Sequence, residues 1–231
     1  MTTVAARTVF FDFGGTLVLV QPGIELWLRA LEETGLRPSR EDLVEALGRT
    51  DAELLPRVYD YKGRMPQFWA AYDARLLARL GVADDGTLAA EIERRFKTGE
   101  TYRVFPEANE VLESLHAQGY GLGVVSNNTD DLLVILQKVG LARHFDHVTY
   151  SQEVRADKPD PAVFRVALER AGCPAAEAVH VGDRYEADVV GARRAGITPI
   201  LIDRDDRQRD ADCLRVRDLR GIEALLKGRK V

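Results

Sequence analysis

After Pro106 the chain repeats one pattern, helical periodicity followed by a short apolar run, and no other feature restricts its fold as strongly. PEANEVLESLHAQG precedes YGLGVVS, and DDLLVILQKVG precedes FDHVTYS. PAVFRVALERAG then precedes AVHVGD, and ADVVGARRAG precedes TPILID. Short apolar runs bounded by turn residues read as strands buried on both faces. Alternating with helices, they predict a parallel sheet covered by helices on each side. The earlier run TVFF ends at Asp12 and opens into Gly14-Gly15-Thr16, so it joins the same sheet. The tail RDLRGIEALL reads as a last packing helix.

The stretch from 24 to 98 has a different rhythm. IELWLRALEETG is apolar at helical spacing, with Gly35 placed to end it. SREDLVEALG opens on Ser39 with an acid three residues later, the pattern of a capping box. PQFWAAYDARLLARLG and TLAAEIERRF continue the helical spacing, and no strand pattern interrupts them. The expected architecture is a doubly wound, Rossmann-like α/β core of residues 1–19 and 99–231. An all-helical domain, residues 20–98, is inserted after the first strand, with hinges near Val20–Gly23 and Thr98–Val104. Trp27, Phe68, Trp69 and Tyr72 fall at helical spacing and read as the core of that insert.

Composition narrows the class of function. A chain of 231 residues with 45% hydrophobic content can bury a substantial core. A net charge of -5 weighs against a nucleic-acid partner, whose phosphates attract basic faces. No apolar run reaches the length of a membrane span. Asp12 and the paired glycines interrupt the run Val9–Val20, so it does not read as a signal peptide. Cys173 and Cys213 have no metal-ligand spacing, and a reducing cytoplasm is the expected setting.

Open α/β sheets bind ligands beyond the carboxyl ends of their strands. Four such ends carry polar groups here: Asp12, Ser126, the loop leading to Lys158, and Asp183. Each alone reads as a turn or helix cap; their convergence points to a site. Asn128, Asp130 and Asp131 read as a turn and cap, and His180, inside an apolar strand, as a hydrogen-bonded core histidine.

These positions carry a specific resemblance. FDFGGTL (11–17), VVSN (124–127), DKPDPAVF (157–164) and HVGDRYEAD (180–188) resemble, in order, the four motifs of the haloacid dehalogenase superfamily. The inserted segment resembles that family's C1 cap. The resemblance implies a magnesium-dependent hydrolase acting on a small phosphorylated metabolite. Asp12 would be the nucleophile and a magnesium ligand, with the Gly14 carbonyl, Asp183 and Asp188 completing the metal set. Asp188 would act through water or brace Lys158. Lys158 would offer positive charge to the nucleophile and the phosphoryl oxygens. Ser126, the N–H groups after it and Asn127 would hold those oxygens, and Thr16 would fix the loop after the first strand and join the substrate-binding set beside the nucleophile.

The pattern departs from the family at one position. Gly14 stands where its phosphatases carry a second Asp, the residue that protonates the leaving group and then activates water. Three alternatives therefore stay open: a haloacid dehalogenase, a phosphonatase-type hydrolase, and a binding protein that has lost turnover. A phosphonatase would need a cap lysine, for which only Lys62 and Lys97 are present.

Overall fold

A computed structural model describes residues 6–226 except 22, 34, 85 and 97–100, and only the backbone of 93–96. Lys97, together with Pro22 and Thr98 of the expected hinges, lies outside the described residues. In chain order the elements begin with β1 (Thr8–Phe11), β2 (Val18–Val20), α1 (Gly23–Glu33), α2 (Arg40–Leu54), α3 (Met65–Arg79) and α4 (Thr87–Phe96). There follow β3 (Tyr102–Val104), α5 (Ala108–Ala117), β4 (Gly121–Ser126), α6 (Asp131–Lys138), β5 (His147–Tyr150), α7 (Ser151–Val154) and α8 (Pro161–Ala171). The last are β6 (Ala178–Gly182), α9 (Gly191–Arg194), β7 (Thr198–Ile202), β8 (Leu214–Val216) and α10 (Arg220–Leu225).

The chain divides into two compact units: one takes residues up to Leu19, Val104–Asn128 and Leu132 onward, the other Val20–Arg103 with Thr129–Asp131. In the first, six strands form a sheet in the order β5-β4-β1-β6-β7-β8, every neighbouring pair parallel. The expected α/β core is therefore present. From β1 the later strands extend to both sides, so β1 stands where the winding reverses. The carboxyl ends of β4, β1 and β6 lie side by side at that point, with Phe11 opposite Val124 and Val181. All four residues of β1 are buried, as strands on both edges and packed faces require.

Helix α8 sets the position of one loop of the site. Val163, Phe164 and Ala167 form its inner face and pack with Phe10, Val125 and Ala178 of the sheet. Pro161 begins it, the Asp160 carboxylate accepts from the Ala162 N–H at 2.8 Å, and Gly172 ends it in the left-handed region.

The second unit is built by α1–α4 around Trp27, Leu31, Leu43, Phe68, Tyr72, Leu76 and Ile92. Of the four aromatics expected there, Trp69 alone is only partly buried. Ser39 caps α2 by accepting from the Asp42 N–H at 3.0 Å. The reciprocal arm differs from a capping box: the Asp42 carboxylate takes the Ser39 hydroxyl at 2.6 Å, a reach suited to its shorter side chain.

Three strands were not expected. β2, β3 and β8 have three residues each, too short to show a period of two. β2 and β3 pair in a separate two-stranded sheet, and β8 extends the main sheet at one edge. No helix among the described residues is long and apolar enough to cross a membrane.

Candidate active site

Each strand end delivers one polar group. Asp12 follows β1, and its N–H continues the ladder to the Val181 carbonyl at 2.8 Å, which fixes its Cα. Ser126 ends β4 and is buried. Asp183 follows Gly182 at the end of β6. Lys158 arrives from the loop before α8, and Asn127 ties that loop to β4. The Asn127 side-chain carbonyl accepts from the Lys158 N–H at 2.6 Å, and its amide donates to the Lys158 carbonyl at 3.0 Å. Asn127 thus departs from the expected phosphoryl contact: its side chain is committed to positioning Lys158.

Lys158 Nζ is the hub. It donates to Asp12 Oδ1 at 2.7 Å, Asp188 Oδ1 at 2.6 Å and the Val125 carbonyl at 2.9 Å. Burial pushes its ammonium down, but the Asp12 and Asp188 carboxylates outweigh this and hold it above the ordinary lysine range.

Asp188 is equally committed. Its Oδ1 also accepts from His180 Nε2 at 2.9 Å, and its Oδ2 from the Arg184 N–H at 2.9 Å. Burial alone would raise this acid; Lys158 and His180 hold it well below the usual carboxylate range. Its oxygens are filled by protein donors, so bracing Lys158 is what the geometry gives it. His180 is the buried, hydrogen-bonded histidine that its place in an apolar strand implies, with one of its two nitrogens partnered. An ionised carboxylate only accepts, so Nε2 carries the proton, and Nδ1 is left buried with no partner. Burial depresses the imidazole, outweighing the opposite pull of Asp188.

Among the three carboxylates, Asp183 is the one with a buried, unpartnered oxygen, its Oδ1. Burial first, then the charges of Asp12 and Asp188, push its carboxyl up to about 6. Asp12, Asp183 and Asp188 each offer one oxygen, all within 4.8 Å of one another. Three carboxylates against one ammonium leave the cluster negative. An orphaned carboxylate oxygen beside a second carboxylate fits a hard divalent cation such as magnesium.

Two glycines permit this crowding. Gly15 has φ +76, and a Cβ there would fall 2.2 Å from Asp183 Oδ2. A Cβ on Gly182 would fall 2.1 Å from Asp188 Cγ. Thr16 is fully buried, but its hydroxyl has no partner, so it does not fix the loop through that group as expected. Its carbonyl instead accepts from Arg204 Nη2 at 2.9 Å. Arg204 was missed by the sequence reading. The signal was available: it follows β7, a fifth strand end carrying charge.

The chain is similar to known hydrolases in sequence and in fold. The model of haloacid dehalogenase-like hydrolases matches residues 6–196. The haloacid dehalogenase-like hydrolase domain-containing protein 3 of Danio rerio is 35% identical over 214 residues, covering 89% of this chain and 88% of that one. A phosphoserine phosphatase of Thermus thermophilus is 40% identical over 134 residues, 56% of this chain and 54% of its own. Among solved structures, a phosphatase of the same superfamily from Thermococcus onnurineus superposes with a TM-score of 0.70 at 28% identity, over 97% of this chain and 100% of that one. A 2-haloacid dehalogenase from Pseudomonas syringae does so with a TM-score of 0.73 at 29% identity, over 95% and 97%.

Proposed function

The chain belongs to the haloacid dehalogenase-like hydrolase family, and from that premise we propose that it is a magnesium-dependent phosphatase of a small phosphorylated metabolite. The observation that carries this reading is the unpartnered Asp183 Oδ1 within the Asp12–Asp183–Asp188 cluster. Attack on carbon in a dehalogenase has no need of a cation there, whereas attack on a phosphate dianion by a carboxylate does. Similarity to a phosphoserine phosphatase supports the same class.

Asp12, Asp183 and the Gly14 carbonyl would hold the magnesium, with Asp188 outside them. When bound, magnesium would offset the charge of the phosphoryl oxygens near the nucleophile. A carboxylate oxygen of Asp12 attacks phosphorus in line. The bond from phosphorus to the leaving oxygen breaks, and its electron pair departs with the leaving group. Lys158 holds the Asp12 carboxylate in place at 2.7 Å, while Ser126 and the Asn127 N–H hold the remaining phosphoryl oxygens. The next N–H, of Asn128, is taken by the Ser151 hydroxyl at 3.1 Å. Water then attacks the phosphorus of the aspartyl phosphate and loses its proton to solvent. The phosphorus–oxygen bond to Asp12 breaks, releasing inorganic phosphate and restoring the carboxylate. With glycine at 14, no acid stands there to protonate the leaving group, so acyl and aryl phosphates, whose anions leave readily, are the favoured substrates. We assign substrate selection to the helical cap, residues 20–98. The two free cysteines support a reducing, cytoplasmic setting.

The test is phosphate release from acetyl phosphate and p-nitrophenyl phosphate, with magnesium or with EDTA, beside Asp12→Asn. Magnesium-dependent release lost in the variant supports the reading. A second reading, a dehalogenase, is favoured by Gly14 and by the similar 2-haloacid dehalogenase structure. Halide release from a 2-haloacid that EDTA leaves unchanged, with no phosphate release, would replace the first reading by the second.

A further inference from the structure

The turn after β1 carries two consecutive glycines, Gly14 and Gly15, at the point where a cation must be held. Glycine loses more conformational freedom on ordering than any other residue, and Gly14 brings no side chain to anchor the turn. Magnesium demands near-ideal octahedral geometry, so looseness in its ligands weakens binding. Backbone bonds close the turn, from the Gly15 N–H to the Val18 carbonyl at 2.8 Å and from the Leu17 N–H to the Phe13 carbonyl at 2.9 Å, and they leave the Thr16 carbonyl to a side chain.

Arg204 reaches it from the end of β7. Its Nη2 donates to the Thr16 carbonyl at 2.9 Å and its Nε to the Gly15 carbonyl at 3.4 Å. The other end of the fork is fixed: Nη1 meets Glu107 Oε1 at 2.7 Å, and Glu107 is 6% exposed in its side chain. The guanidinium carbon stacks 3.4 Å from the centre of the Phe105 ring. The loop that carries Arg204 is itself tied down, because the buried Asp203 carboxylate accepts from the N–H groups of Arg207 and Gln208 at 2.9 and 2.8 Å. Gln208 in turn donates its amide to the Asp183 carbonyl at 3.3 Å. One rigid loop therefore touches the backbone on both sides of the carboxylate cluster.

We propose that Arg204 is a positioning residue for the divalent-cation site, its guanidinium holding the Gly15 and Thr16 carbonyls so that the Gly14 carbonyl, Asp12 and Asp183 keep the spacing a cation requires. This rests on the metal-dependent reading above. Arg204 touches neither substrate nor cation in this assignment, and the steps above make no use of Glu107 or Phe105.

The experiment is manganese binding to the full chain, followed by paramagnetic resonance of the free ion, for wild type, Arg204→Ala, Arg204→Lys and Glu107→Gln. Circular dichroism and thermal melting accompany each variant. Arg204→Ala should bind manganese roughly tenfold or more weakly, the usual scale for a group that orients ligands. Arg204→Lys, which keeps the charge but cannot fork, should fall between. Millimolar guanidinium should restore part of the affinity to Arg204→Ala, and its kcat on acetyl phosphate should recover as magnesium is raised. A folded Arg204→Ala with wild-type affinity overturns the proposal. If that variant does not fold, Glu107→Gln decides: a few-fold weakening supports the proposal, and unchanged affinity overturns it. A wild type that binds no manganese removes the cation site itself, a failure of the functional reading rather than of Arg204 alone.

Discussion

Lys158 and Asp188 meet at 2.6 Å with both side chains only 2% exposed. The same ammonium touches Asp12 at 2.7 Å, and the same carboxylate oxygen accepts from His180 at 2.9 Å. Imidazole, carboxylate, ammonium and carboxylate thus form one buried chain ending at Asp12. Such a chain is tolerable only because every charge in it faces an opposite one.

Removing the cation should therefore cost stability as well as activity. Lys158→Met leaves Asp12 and Asp188 buried without their partner, and breaking a buried pair typically costs about 3–5 kcal/mol. Urea denaturation in EDTA should show a loss of that order, and magnesium should recover part of it. Stability equal to wild type in EDTA would mean that the ammonium does not hold the carboxylates together.

Asp183 gives the metal-free protein a pH dependence of unusual sign. Its carboxyl is pushed from the ordinary 3.8 to about 6 by burial and then by Asp12 and Asp188. An acid that is harder to ionise in the fold than in the unfolded chain weakens the fold as pH rises. Below about pH 4 both states hold the proton and nothing is lost; between about 4 and 6 stability falls, and above that the loss is constant. Allowing for solvent screening, it amounts to about 2 kcal/mol. Asp183→Asn should flatten this slope, be more stable than wild type in EDTA at pH 7.5, and lose the stabilisation magnesium gives. Melting curves across that range, superimposable for the two proteins, would contradict the assignment.

Asp12, Lys158 and Asp183 were legible as a group because two strand ends and one helix-opening loop each carried a charge where an apolar pattern stopped, and Asp188 joined them through the fourth motif. The structure brings those four together. What the sequence hid depends on pairings across distance. His180 looks like any polar residue in a buried strand until Asp188, eight positions on, is seen to turn back onto it. Asn127 follows a strand as a phosphate-binding residue would, yet its amide closes on the Lys158 backbone. Arg204 stands just past a strand, where a charge is a visible signal, but its pairing with the turn after β1 is not written in any local pattern. The short strands β2, β3 and β8 escaped because three residues carry no period.

Gly15 is the position least able to accept a side chain. Gly15→Ala would place its Cβ 2.2 Å from Asp183 Oδ2 at a backbone φ of +76. The left-handed conformation alone costs about 1–2 kcal/mol for an L-residue. The larger effect should be displacement of Asp183, seen as a rise of about tenfold or more in the magnesium concentration for half-maximal activity. A variant that keeps the wild-type magnesium requirement would show that Asp183 does not need this close approach.

Gly14→Asp tests whether the missing acid limits the enzyme. General acid–base help is typically worth about 10²–10⁴-fold, and its benefit grows as the leaving group worsens. The variant should therefore gain little on acetyl phosphate, whose leaving carboxylate needs no proton, and much more on an alkyl phosphate. Measuring kcat/KM for a series of aryl and alkyl phosphates gives the dependence on leaving-group basicity directly. The wild type should show a steep dependence and the variant a shallower one, because a proton delivered at position 14 would neutralise the departing oxygen. Equal slopes, with both proteins active, would mean that another group of this chain already supplies the proton. Dephosphorylation adds a second check: an acid at 14 that also activates water should shorten the life of the aspartyl phosphate, so less phosphorylated enzyme should accumulate after acid quench.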